Sequence, residues 1–79
     1  MPRVRRQPAD IRQTLGTALR QLRTEHRLTQ EALAERAQVH AHYISDIERG
    51  LRNVAVVNLT YLADAFGLSA AELLNRAGL

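Results

Sequence analysis

The sequence predicts an all-α fold of five short helices, and three observations predict it. Apolar residues recur at spacings of three and four in five successive stretches, and no stretch alternates with the period of two that a half-buried strand requires. The aromatic content is only one Phe, two Tyr and no Trp. Leu, Ile, Val and Ala must therefore fill the core, which suits helices better than a sandwich. At 79 residues the chain is expected to form one domain, residues 10–79, preceded by a flexible basic arm, residues 1–9. A chain of this size buries only about 60% of the surface that its unfolded form exposes. With no Cys, neither a disulfide framework nor a thiolate zinc site can compensate, so close helix packing and association with a second copy are expected.

Each helix carries local signals. In the first, Ile11, Leu15, Ala18, Leu19 and Leu22 line one face, starting at Asp10 and ending near Glu25 to Arg27. Thr29 can cap a short second helix whose apolar face is Leu33, Ala34 and Ala37. Val39, Ile44 and Ile47 mark a third, roughly His40 to Arg49, and Gly50 stands where a left-handed residue would end it. After a loop from Leu51 to Ala55, the residues Leu59, Leu62, Ala63 and Phe66 give a fourth stripe that Gly67 stops. Ser69 and Glu72 have the spacing of a capping box ahead of Leu73 and Leu74, and this fifth helix ends near Gly78.

Charge points to a polyanionic partner. The net charge is +3, and every basic residue is Arg, the side chain best suited to forked contact with phosphate or guanine. The distribution is uneven: residues 1–27 carry a net +5 and residues 28–79 a net −2. The arm residues Arg3, Arg5 and Arg6 have the composition of segments that follow a minor groove, though a basic tail of this kind is more often only solvated. No apolar run has the length of a membrane span and the first nine residues lack the apolar centre of a signal peptide, so a cytoplasmic address is expected.

The span from Gln30 to Arg49 holds two short helices separated by a turn around Gln38, the layout of a helix-turn-helix, with small Ala34 where the pair would come closest. Three blocks in order carry a family resemblance. They are Thr29-Gln30-Glu31-Ala32-Leu33-Ala34, then Tyr43-Ile44-Ser45-Asp46-Ile47-Glu48-Arg49-Gly50, then Leu59-Thr60-Tyr61-Leu62-Ala63-Asp64-Ala65-Phe66-Gly67-Leu68. In these the chain resembles the Cro/CI-type, or XRE, helix-turn-helix regulators, of lambda-repressor-like fold, over nearly all of residues 15–74. Tyr43-Ile44-Ser45, Glu48-Arg49 and Arg52-Asn53 are also similar to the controller proteins of restriction–modification systems.

The resemblance implies a homodimer whose two copies of the third helix enter successive major grooves of a near-palindromic operator. The family's major-groove positions fall on His40, Ala41, His42, Tyr43, Ser45 and Asp46, and its phosphate-contacting glutamine falls on Gln30. Arg49, Arg52 and Asn53 are candidates for further phosphate contacts. Arg23 and Glu48 match positions that form a partly buried ion pair in the family. Leu68, Leu74, Ala77 and Leu79, with the outer face of the fourth helix, are the candidate dimer interface.

The chain departs from the family pattern at Gln38, where Gly is usual, at His40, where Ser or Thr caps the helix, and at Val54-Ala55, which replaces Pro-Ser. Among Ala41, His42 and Asp46 there is no Arg, Asn or Gln for bidentate readout of guanine or adenine. That gap is what favours the alternative, a protein-interaction module of the same fold, antitoxin-like or a regulatory partner, with weak DNA binding. His42 and Asp46, one helical turn apart, are too few to hold a metal. Together with Ser45 they cannot align in series as a nucleophilic triad either. Neither an enzyme nor a cofactor is expected, and His26 reads as a solvated cap on the first helix.

Overall fold

The computed structural model describes residues 4–79, which form five helices and no strand: α1 (Pro8–Glu25), α2 (Gln30–Ala37), α3 (Ala41–Glu48), α4 (Val56–Asp64) and α5 (Ala70–Arg76). Arg3 of the arm lies outside the described residues. The core is continuous, with Leu19, Leu22, Leu33, Ile44, Ile47, Leu62 and Leu73 each below 2% exposure, so every helix contributes at least one fully buried side chain. No described helix is long and apolar enough to cross a membrane.

The first helix differs from expectation at its start. It begins at Pro8 rather than Asp10, so Pro8 and Ala9 belong to the helix and not to the arm. Pro in the first helical position has its φ already set and loses no hydrogen bond, because the first amides of a helix have no partner anyway. Ile11 remains 37% exposed, and the buried stripe runs from Leu15 instead.

Two turns use left-handed residues that are not glycine. Gln38 has φ 58° and ψ 43°, and Arg27 has φ 55°. In both, the following amide returns to a carbonyl five residues back, from Val39 to Ala34 at 3.0 Å and from Leu28 to Arg23 at 3.0 Å. This is the Schellman pattern that glycine ordinarily serves, and the backbone adopts it here despite the side chain. Gly50, with φ 75°, ends α3 in the same way through the Leu51 amide and the Asp46 carbonyl at 2.9 Å.

Capping follows the sequence unevenly. The Thr29 hydroxyl accepts from the Ala32 amide at 3.0 Å, and the Ser69–Glu72 capping box is complete, with both bonds at 3.0 Å. His40 and Ala55, which precede α3 and α4, make no side-chain cap. His26 follows α1 as its cap residue, with Nδ1 3.3 Å from the Leu22 carbonyl oxygen; its ring also leans on Phe66, the centroids 5.0 Å apart.

Candidate nucleic-acid interface

The position of α3 is set from beneath and behind. Ile44 and Ile47 are essentially unexposed and fix its depth. Gly16 of α1 lies directly against its C-terminal turn, where an added Cβ would collide with the Ile47 carbonyl oxygen. At the same end the Arg23 guanidinium donates two bonds to the Glu48 carboxylate, at 2.7 and 2.9 Å, and a third to the Leu28 carbonyl at 2.9 Å. Glu48 is only 9% exposed, and its bond raises the Arg23 pKa still further above its ordinary value. A bidentate pair of this kind clasps α1, the turn after it and α3 at one point.

Gln30, expected at a phosphate, is half-buried at the start of α2 and donates its side-chain amide to Glu48 Oε1 at 3.2 Å. It is thereby fixed beside the first-turn backbone amides of α2, the part of a helix that favours an anion. The clasp on Glu48 therefore also orients Gln30.

On the outer side of α3, His40 and His42 are exposed, while Ala41, Tyr43 and Ser45 are half-buried. His40, His42, Tyr43, Arg52 and Asn58 line a hollow of about 580 Å³ between the start of α3 and the start of α4. Asn58 donates to the Tyr43 hydroxyl at 3.3 Å and so ties α4 to this face.

Asp46 departs from the expectation of a base-reading side chain. It is 7% exposed, and its carboxylate accepts from Arg49 Nη2 at 2.7 Å and from Arg52 Nε at 3.1 Å, one oxygen to each. The bond from Arg52 is the largest cause of an Asp46 pKa held below the ordinary carboxylate value, and His42, whose Nε2 lies 3.7 Å away, and Arg49 act in the same direction. The chain reverses after Gly50, which brings Arg52 back over α3 and covers the carboxylate. Sequence spacing alone does not show this, because Asp46 occupies an outward position until Arg49 and Arg52 fold onto it.

Arg52 also lies over the Tyr43 ring, its guanidinium carbon 5.5 Å from the centroid. Asn53 is held from another direction, its Oδ1 accepting from Arg12 Nη1 at 3.4 Å while Arg12 Nε donates to the Gly50 carbonyl at 3.4 Å. Arg12 and Asn58 are the positioning residues that sequence reasoning missed. Arg12 lies 38 and 41 residues from its partners, so no local pattern reveals it. The arm residues Arg5 and Arg6 stand beside Arg12 and Asn53, and Arg6 Nη1 donates to the Gly78 carbonyl at 3.4 Å.

In and around α5, Leu73 is wholly buried, whereas Leu68, Leu74, Ala77 and Leu79 are half-buried. The more open apolar surface is on α4 and before it: Val56 at 75%, Val57 and Leu51 at 60%, and Tyr61 at 48% exposure. Among the described residues, no three His, Asp or Glu side chains come together in a way that could hold a metal ion.

Comparison with known proteins agrees with this geometry. Residues 14–75 match the helix-turn-helix domain family. The chain is 42% identical over 64 residues to the uncharacterized HTH-type transcriptional regulator y4dJ of Sinorhizobium fredii, covering 81% of this chain and 83% of that one. It is 41% identical over 70 residues to the control protein C.SmaI of Serratia marcescens, covering 89% and 83%. Among solved structures, the restriction–modification controller protein C.AhdI from Aeromonas hydrophila superposes with a TM-score of 0.77 at 42% identity, over 82% of this chain and 97% of that one. The chain belongs to the helix-turn-helix family of DNA-binding transcriptional regulators.

Proposed function

We propose that the protein binds a near-palindromic operator sequence-specifically as a homodimer, with α3 of each copy in the major groove. The observation that carries this reading is the division of α3 into a locked C-terminal end and an open N-terminal face. Glu48 is bound by Arg23 and Gln30, whereas His42 is 79% exposed at its side chain and opens on a hollow that His40, Tyr43, Arg52 and Asn58 also line. Gln30 with the first-turn amides of α2, together with Arg49 and Asn53, would set register on phosphates, and His40, Ala41, His42, Tyr43 and Ser45 would face base edges. The half-buried Leu68, Leu74, Ala77 and Leu79 and the open apolar face of α4 would meet a second copy.

The likeness to C.SmaI and C.AhdI supports a narrower role, control of restriction–modification genes through operator occupancy near a promoter. The test is selection of bound duplexes from a random pool, followed by footprinting and sedimentation with the selected duplex. Two protected half-sites about one helical turn apart are the expected result. Failure to enrich any sequence over random duplex would overturn the reading.

A further inference from the structure

The helical face of α3 has a gap in its chemistry. None of His40, Ala41, His42, Tyr43 and Ser45 offers the two parallel N–H donors that recognise guanine through O6 and N7. The loop after α3 supplies such a group at the same place. Arg52 leans back over Tyr43, with its guanidinium carbon 5.5 Å from the ring centroid, and shares one hollow with His40 and His42.

Its hydrogen bonding leaves the needed edge free. Nε donates to Asp46 Oδ2 at 3.1 Å, and neither Nη atom has a hydrogen-bond partner among the described residues. Arg49 is used differently: Nη2 goes to Asp46 Oδ1 at 2.7 Å, and Nε faces the Ser45 carbonyl of its own helix at 3.4 Å. A guanidinium fixed through Nε and stacked on one face presents its two Nη groups as a fixed fork, so little rotamer freedom remains to be lost on binding.

Resting on the operator-binding reading above, we infer that Arg52 reads a guanine in each half-site rather than a phosphate. Asp46 and Tyr43 are its positioning residues. The partial neutralisation by Asp46 fits this assignment, because a carboxylate beside a phosphate contact weakens attraction to every sequence alike, whereas beside a base-reading fork it suppresses indiscriminate binding.

The experiment is selection from a random duplex pool by the wild type and by Arg52→Ala, Arg52→Lys and Asp46→Asn, with affinities measured on the wild-type selected duplex and on a scrambled one. Arg52→Ala and Arg52→Lys are expected to lose about tenfold of preference for guanine at one position per half-site, with the other positions unchanged. Lysine keeps the charge but not the fork, which separates geometry from electrostatics. Asp46→Asn is expected to bind the scrambled duplex more tightly while losing preference at the same position. Thermal midpoints establish that each variant is folded, and the exposed Arg52 variants carry the test if Asp46→Asn is not. Uniform weakening on all duplexes by Arg52→Ala, with the guanine preference retained, would overturn the inference and leave Arg52 on a phosphate. A wild type that enriches no sequence would overturn the operator reading itself, and this inference with it.

Discussion

Glu48 and Asp46 lie two positions apart on α3, yet their surroundings give them different duties. Glu48 faces α1, and removing its carboxylate leaves the half-buried Arg23 guanidinium with only the Leu28 carbonyl for a partner. Glu48→Ala is expected to cost about 3 kcal/mol, the scale for breaking a buried pair on one side, read by denaturant unfolding without DNA. An unchanged midpoint with lost operator binding would instead make Glu48 a contact residue. Asp46 faces Arg49 and Arg52, and its lowered pKa ties it to pH. A carboxylate whose folded pKa is depressed adds stability above its unfolded pKa, near 3.9, and loses that contribution as pH falls through the folded value. Wild type is therefore expected to be more stable than Asp46→Asn at about pH 6, with the difference shrinking towards about pH 3 as the carboxyl takes up its proton. A difference that stays constant over that range would show that the arginine contacts do not stabilise the ionised form. The acidic character of both residues is plain in the sequence, but which one is clasped from behind and which is covered by the returning loop depends on contacts with α1 and with residues beyond Gly50.

The five helices were legible because each carries a 3.6-residue apolar period, and the caps at Thr29 and Ser69 fix two of their starts to the residue. Their junctions were less legible. Gln38 completes a left-handed turn that the sequence marks as unfavourable, since the surrounding packing of α2 and α3 outweighs a local cost of about 1 to 2 kcal/mol. Gln38→Gly removes that cost but gives the unfolded chain extra freedom worth about 0.4 to 1 kcal/mol, so a net stabilisation of about 0.5 kcal/mol is expected in chemical denaturation. Destabilisation would mean that the Gln38 side chain contributes packing or bonding. Arg27 adopts the same conformation without any signal in its surroundings. The contact between α1 and α3 was equally hidden, because Gly16 sits within a helical stripe where glycine looks merely tolerated. Gly16→Ala should gain up to about 1 kcal/mol in helix propensity, yet its methyl group must displace the backbone at Ile47 and Glu48. Overpacking is expected to dominate, with a net loss of about 2 kcal/mol in thermal unfolding and a large fall in DNA affinity as α3 shifts outward. Normal stability and binding would show that the two helices separate freely.

Across the whole molecule, most of the large apolar side chains left open by the core, namely Leu51, Val56, Val57 and Tyr61, lie on α4 and the loop before it, and Arg5, Arg6 and Arg12 gather beside Asn53 of that loop. A domain this small would gain stability by covering such a surface with its twin, and on the proposed reading the linked pair would bind a second half-site at high effective concentration. The wild type is expected to sediment as a dimer at micromolar concentration. Val57→Asp and Leu74→Asp are expected to shift it to a folded monomer, and Leu73→Asp to unfold it because Leu73 is fully buried. A wild type that remains monomeric at about 100 μM yet protects two half-sites would leave pairing to the DNA alone. The clasp on Glu48 bears on how such a regulator diverges. Since α3 is anchored at its last turn, the His40 side chain makes no cap at the first and that of His42 stays largely exposed beside Asp46; on the proposed reading, a single codon change at either would alter what is read while leaving the Arg23–Glu48 scaffold in place. On that reading, after a gene duplication two copies that keep the same Arg23–Glu48 lock would be free to drift to separate operators, each remaining folded while its regulatory circuit becomes insulated from that of its sibling.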